Sequence, residues 1–233
     1  MRPAGAQAGG HSSPVWAGAA SSASGYNWRP FSTDTGTFQV ARKSIDLQID
    51  TSPDWAPIVL GDFDTFLLDH ANCERKAFAF AMSLVAKYPD RTKLIGTLIG
   101  LAQEELEHFR EVYDLIEQRG LALRRDEPDP YIQKLIAVAR HGRDERLIDR
   151  MLISSVIETR GAERFRILAE TIEDEPMREF YERLWKAEKK HAHQFAHILL
   201  KEFDEDQVYP RLQELMAIEA EIVPTLELRP ALH

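Results

Sequence analysis

The sequence predicts an all-α protein, a four-helix bundle built as two hairpins joined by a crossover, with an extra C-terminal helix. Three observations predict it. From Asp54 onward apolar residues recur at helical spacing, and no segment reads as a strand. Two turn signals, Tyr88-Pro89-Asp90 and Glu173-Asp174-Glu175, each divide a pair of long helical stretches. Finally, one pattern occurs twice: a lone glutamate followed at a distance by Glu-x-x-His. Glu105-Leu-Glu-His108 follows Glu74 by 31 residues, and Glu188-Lys-Lys-His191 follows Glu158 by 30. Such a pattern lets a four-helix bundle hold two metal ions in its core.

Each element has its own signals. Residues 1–50 are expected to be a flexible N-terminal extension, rich in Gly, Ala and Ser in its first part, and residues 51–233 the helical domain. The first long helix is expected from about Ala56 to Lys87, stopped at Tyr88-Pro89-Asp90. The second runs from about Arg91 to Arg119 and ends at Gly120. Pro128, Pro130 and Gly142 then frame a crossover with a small helix, Tyr131 to Ala139. A third long helix covers Asp144 to Thr171. Pro176 is well placed to start the fourth, which reaches about Glu202, and a shorter helix spans Asp206 to Ile222.

Composition narrows the function. With 38 acidic against 29 basic residues the formal charge is −9, which argues against a protein that coats nucleic acid generally but leaves room for a local basic patch. One cysteine, Cys73, permits neither an intrachain disulfide nor a Cys-based zinc or iron–sulfur site within one chain. No apolar run approaches the roughly 18 residues of a membrane span. A soluble, cytoplasmic protein with no membrane partner is expected.

Two tests ask whether the six patterned residues meet. The first is level. Glu74 lies 15 residues before Pro89 and Glu105 lies 16 after it, while Glu158 and Glu188 each lie 15 from Glu173. At about 1.5 Å per residue these mismatches amount to an ångström or two, so each pair is level along its hairpin. The second is facing. Glu74 sits on a stripe with Leu67, Phe78 and Ala81; Glu105 and His108 with Leu98, Leu101 and Val112; Glu158 with Met151, Ala162 and Phe165; Glu188 and His191 with Leu184, Phe195 and Ile198. Four carboxylates on apolar stripes are costly to bury unpaired. Two histidines one turn further on supply nitrogen ligands, since i,i+3 spacing shares a face. Glu74, Glu105, His108, Glu158, Glu188 and His191 are therefore the candidate ligands of a dinuclear site. Carboxylate and imidazole donors without thiolates suit iron or manganese.

Neighbouring residues receive plainer readings. Glu163 is expected to be a supporting or surface residue and not a ligand. Glu104 and Glu107 are expected to be solvated, His70 a satisfied core histidine, and His193 and His197 surface residues. Phe66, Phe78, Phe109 and Phe165 read as core first and pocket lining second. Arg124, Arg125, Arg140, Arg143, Arg146, Arg150, Arg160, Arg164 and Arg166 cluster around the crossover and third helix. They can hold phosphates or pair with neighbouring acids.

The segments around the ligands are similar to a known family. Asp69-His-Ala-Asn-Cys-Glu-Arg-Lys-Ala77, Leu101-Ala-Gln-Glu-Glu-Leu-Glu-His-Phe109, Ile157-Glu-Thr-Arg-Gly-Ala-Glu-Arg-Phe165 and Ala187-Glu-Lys-Lys-His191, with Thr51-Ser-Pro-Asp-Trp55 ahead of them, resemble the bacterial tRNA hydroxylases acting on methylthio-isopentenyl-adenosine, members of the ferritin-like di-iron superfamily. The likeness runs from Thr51 to Ile222. It departs at the tail before Thr51 and at Gly161-Ala162, which stand where Ser-Cys is expected. The resemblance implies a ferritin-like fold and two iron ions, with manganese as the alternative. It also implies a monooxygenase that uses dioxygen and an external electron-donor reductase to hydroxylate the isopentenyl group in a tRNA substrate. Competing readings are a rubrerythrin-, manganese-catalase- or ferroxidase-like protein handling peroxide or iron, and a metal-free helical scaffold. The chain has no Cys-x-x-Cys rubredoxin domain, which weakens the rubrerythrin-like reading.

Overall fold

The computed structural model describes residues 45–233, so most of the expected extension lies outside the described residues. Among the described residues there are seven α-helices, a short 3-10 turn and no strand. They are α1 (Trp55–Gly61), α2 (Phe63–Lys87), α3 (Thr92–Gln118), α4 (Pro130–Ala137), α5 (Arg143–Thr171), α6 (Glu175–Leu199) and α7 (Glu205–Ile222). Helix α2 packs on α3 and α5 on α6. Helix α3 also meets α6 across the two hairpins, and α7 lies on α5 with further contacts to α4 and α6.

Local chemistry sets the boundaries. Gly120, at φ 69°, ends the second long helix, and Leu121 N–H reaches back to Ile116 O at 3.0 Å. Asp129 caps α4 by accepting from Tyr131 N and Ile132 N, with Pro130 in the first turn. Asp174 caps α6 by accepting from Met177 N at 3.1 Å, just ahead of Pro176. Asp204 and Gln207 form a capping box on α7.

The helix expected to run unbroken from Ala56 to Lys87 is two. At Asp62 the backbone leaves the helical region (φ −142°, ψ 65°), and its carboxylate accepts from Thr65 N at 3.2 Å to cap α2. Gly61 is a poor helix former and Asp62 a good cap, a pair that the apolar spacing on either side conceals. The break folds α1 back on the bundle. Trp55 there meets Phe66 edge-on at 6.1 Å and donates from Nε1 to Ala231 O at 3.0 Å.

Residues 45–50, assigned by sequence to the extension, also lie against the bundle. Ile45 is buried with Leu84 and Tyr88, and Ile49 O accepts from Arg160 Nη2 at 2.9 Å.

Two apolar cores fill the bundle. One gathers Leu84, Leu94, Leu98, Leu101, Met151, Val156, Phe195 and Leu199. The other gathers Phe66, Leu67, Ala71, Val112, Ile116, Phe165, Leu168 and Leu184. On each long helix the chain passes from one core to the other through a single polar level: position 74 on α2, 105 and 108 on α3, 158 on α5, 188 and 191 on α6. That level is the site.

Candidate metal centre

Glu105, His108, Glu188 and His191 converge until one ligand atom from each lies within 4.8 Å of all the others. Glu105 approaches both imidazoles, with Oε1 at 2.8 Å from His191 Nδ1 and Oε2 at 3.6 Å from His108 Nδ1. Glu188 does the same in the opposite sense, its Oε1 at 3.0 Å from His108 Nδ1 and its Oε2 at 3.1 Å from His191 Nδ1. Each Glu-x-x-His glutamate thus spans both histidines instead of serving its own helix alone. Glu74 lies on the His108 side, its Oε2 at 3.9 Å from His108 Nδ1. Glu158 feels Glu188, Glu105 and His191. Glu74 is buried while Glu158 is half-buried. Four of the six expected residues thus form one group, and Glu74 and Glu158 lie beside it.

Protons hold this group together in the absence of metal. Burial, reinforced by Glu188 and Glu105, pushes the carboxyls of Glu74 and Glu158 well above the ordinary range. Burial works against a charge on His108, but Glu105 and Glu188 raise its pKa to about 10. The same opposition drives His191 up to about 12. Burial also disfavours an ionised Glu188, yet the two imidazoles win and hold it below the carboxylate range. Four protons, two on the carboxyls and two on the imidazoles, offset the negative charge of four glutamates, as two divalent cations would. Both oxygens of Glu105, Oε1 of Glu188 and Nδ1 of His108 are buried without an aligned hydrogen-bond partner. Acceptor atoms facing one another in a buried core are what a cation needs and what a hydrogen-bond network lacks. The donor set therefore fits a dinuclear metal site.

The surrounding residues orient the ligands. His70, fully buried, donates from Nε2 to Glu74 Oε1 at 2.7 Å, leaving Nδ1 to accept from Tyr181 OH at 3.4 Å. Burial takes the His70 pKa down to about 3, so the ring is neutral and is the satisfied core histidine expected. Glu104 keeps the exposed side chain expected of it, at 41%, and adds contacts the sequence did not show. It crosses from α3 to α6, accepts from His191 Nε2 at 3.1 Å and pairs with Lys190 Nζ at 2.8 Å. A proton fixed on Nε2 leaves Nδ1 free to face the site. Helical facing placed Glu104 off the stripe and could not show that its side chain bridges to the next helix. Glu163 is no ligand: it accepts from Thr51 N at 2.9 Å and Oγ1 at 2.6 Å and pairs with Arg160. His193 turns to Lys189 O, and His197 is exposed.

A cavity of about 260 Å³ reaches the ligands, and Glu74, Glu158 and Glu188 line it. Its walls are otherwise mostly apolar, with Phe80, Ile153, Ile157, Phe165 and Phe195 prominent. Of the four phenylalanines read as secondary candidates for lining, Phe165 is in the wall and Phe66 is packed in the core. Phe80 and Phe195 take the other places. Gly161 lines the cavity, and a Cβ there would meet nothing within 4 Å.

The basic cluster divides. Arg160 is fully buried on Glu219, at 2.8 Å from Nε, and Arg164 is buried over the Trp55 ring. Arg140, Arg143 and Arg166 pair with Asp149, Asp90 and Glu170. Arg150, by contrast, lies over Phe80 at 5.0 Å with no carboxylate partner among the described residues.

With this geometry in place, comparison with known proteins is decisive. The model of the tRNA-(MS2IO6A)-hydroxylase (MiaE) family matches residues 39–233. The chain belongs to the MiaE family. A MiaE-family relative from Pseudomonas putida, a tRNA 2-(methylsulfanyl)-N(6)-isopentenyladenosine(37) hydroxylase, is 35% identical over 181 residues, 76% of this chain and 88% of the relative. A protein of the same name from Salmonella typhimurium is 27% identical over 131 residues, 56% of this chain and 48% of its own length. A solved Synechococcus structure, described as protein 43 with aldehyde deformylating oxygenase activity, aligns with a TM-score of 0.76 and 32% identity, covering 80% of this chain and 94% of its own. The membership carries the ferritin-like, all-helical reading made from sequence, and it does not favour the peroxide- or iron-handling alternative. No helix among the described residues is long and apolar enough to cross a membrane.

Proposed function

We propose that this protein is a di-iron monooxygenase that hydroxylates the isopentenyl group of methylthio-isopentenyl-adenosine in tRNA. The observation that carries the reading is the cavity, a largely apolar space that Glu74, Glu158 and Glu188 also line. About 260 Å³ lies below the usual range of pockets that enclose a drug-sized ligand. It suits an alkyl side chain inserted from outside, with the nucleoside and its RNA remaining at the mouth.

In this reading Glu105, His108, Glu188 and His191 would hold the metals, with Glu74 and Glu158 as the remaining carboxylates. The bound metals supply the redox chemistry that activates dioxygen. The overall reaction consumes the alkyl C–H, one O2, two electrons and two protons, and yields the alcohol and one water. An external reductase provides the electrons. The chain's own residues do the rest. His70 and Tyr181 fix the Glu74 carboxylate, Glu104 fixes the tautomer of His191, and the phenylalanine and isoleucine walls exclude water and hold the alkyl chain.

A second hollow of about 280 Å³ supports an RNA substrate. It shares Phe80, Ile136 and Arg150 with the cavity, and is lined further by Lys87, Arg140, His141 and Arg146 without any carboxylate. Phosphates flanking the modified base would find cations there even though the whole chain is acidic. A tRNA partner supports a cytoplasmic location.

The test is mass spectrometry of nucleosides from tRNA treated with iron-loaded protein, a reductant and oxygen. The prenylated adenosine should gain one oxygen atom. Unchanged nucleoside from protein carrying two irons per chain would refute the reading.

A further inference from the structure

The cavity and the basic hollow meet at residues from three helices. Phe80 on α2, Ile136 on α4 and Arg150 on α5 line both. Ile136 keeps 37% exposure, and Phe80 and Arg150 are half-buried, whereas Glu188 and Phe195 in the same cavity wall are buried. The junction is therefore an outer, open part of the cavity. Phe80 is braced from within, its ring centroid 6.3 Å from that of Phe195.

This geometry divides the substrate into levels. The isopentenyl group on N6 of adenosine is only a few bonds long. An alkyl chain that enters the cavity therefore leaves its base at the junction, and the ribose and phosphates lie further out. Lys87 and Arg146 are exposed residues that line the hollow but not the cavity wall, and they stand at the level of the phosphates. Arg150 stands at the level of the base. Its guanidinium carbon lies 5.0 Å from the centroid of the Phe80 ring. Burial, with Arg146 beside it, lowers the Arg150 pKa, as expected of a cation that has lost part of its water. A planar, weakly hydrated guanidinium stacks well on π faces, and Phe80 already supplies one.

We propose that Arg150 recognises the modified adenosine by its base: the adenine ring stacks on the Arg150 guanidinium beside Ile136, and so aims the alkyl chain past Phe80 into the cavity. The inference rests on the tRNA hydroxylase reading and adds to it the residue that holds the nucleoside. Bases splayed out of single-stranded RNA are bound in this way, on aromatic rings or guanidinium planes. The cations of the hollow then have separate tasks. Lys87 and Arg146 hold the backbone, and Arg150 holds the base.

The test uses full-length, iron-loaded protein and two anticodon stem-loop RNAs. One bears methylthio-isopentenyl-adenosine, and the other has an abasic site in its place. Affinities are measured without oxygen, and the readout is the preference for the modified RNA over the abasic one. Arg150→Lys keeps the charge and loses the plane. It should lower that preference about tenfold, by weakening the modified RNA and leaving the abasic RNA as it was. With oxygen present, product formed per O2 consumed should fall, because the chain is no longer aimed. If Arg150→Lys failed to fold or lost iron, Arg150→Met, which packs on Phe80 without a charge, should show the same tenfold fall in preference. An unchanged preference would overturn the inference: equal losses on both RNAs would make Arg150 a phosphate contact, and no loss on either would make it a packing residue. Both outcomes leave the hydroxylase standing. Wild-type protein that neither binds nor hydroxylates the modified RNA would overturn both.

Discussion

The two halves of the metal centre come from the same sequence pattern but sit in different surroundings. In the first hairpin Glu74 is buried and held by His70 and Tyr181, while the His108 side chain keeps 12% exposure. In the second hairpin the relation is reversed. His191 is fully buried and backed by Glu104, while Glu158 is half-buried and faces the cavity. Each half therefore has one braced ligand and one looser one, at opposite positions of the motif. The repeat sets the ligands, and the neighbours set how firmly each is held. Glu74, Glu158 and Glu188 all border the cavity, and Glu158 is the most open of the three.

The comparison can be broken most directly at the residues the halves share. Glu188→Ala or Glu105→Ala removes a carboxylate that approaches both histidines. Iron should fall below about one per chain and turnover by more than about a thousandfold, whereas Glu158→Ala should retain more metal than either. Elemental analysis with single-turnover assays decides this, and equal loss at all three positions would contradict the shared role of Glu105 and Glu188.

Titration gives the next effect. The folded pKa of His108, about 10, and that of His191, about 12, lie above the ordinary 6.5. Their contribution to the metal-free protein is complete below pH 6.5 and is lost as pH rises through the folded values. The raised carboxyls of Glu74 and Glu158 act in the same sense, with stability present below 4.5 and lost on the way up. Metal binding has the opposite dependence, because the protons must leave first. Thermal melts should show the metal-free form weakening between pH 6.5 and about 10 while the stabilisation conferred by iron or manganese grows. Parallel curves for the two forms would refute the exchange of protons for cations.

Smaller effects separate the braces. Glu104→Gln should weaken metal binding by about tenfold, mostly at the ion nearer His191, by loosening the imidazole. Tyr181→Phe acts one bond further out, through His70, and should cost about threefold or less at the other ion. Spectroscopic titration with ferrous iron resolves the two sites. A larger loss from Tyr181→Phe than from Glu104→Gln would invert the ranking.

Much of this centre was legible from one chain. Axial level and helical face, both properties of single helices and short hairpins, pointed to Glu105, His108, Glu188 and His191, which meet, and to Glu74 and Glu158 beside them. They also kept Glu163 and His70 off the ligand list. What was missed shares a cause. The contacts of Glu104 did not show because its helical position is off the stripe, but a long side chain can cross to a neighbouring helix. Arg160 and Arg164 looked like surface cations because no periodicity in α5 announces that α7 and the residues after it will cover them. The break at Asp62 was masked by apolar spacing that continues in phase on both sides.

Sequence by itself determined the helical class, the order of the helices and the identity of the residues at the polar level, because helix periodicity and turn chemistry are local. Tertiary structure decided which glutamates span both histidines and which groups brace each ligand. It also buried two of the arginines and set a third, Arg150, between the cavity and the basic hollow. Those outcomes depend on contacts between residues far apart in the chain, and no local pattern encodes them.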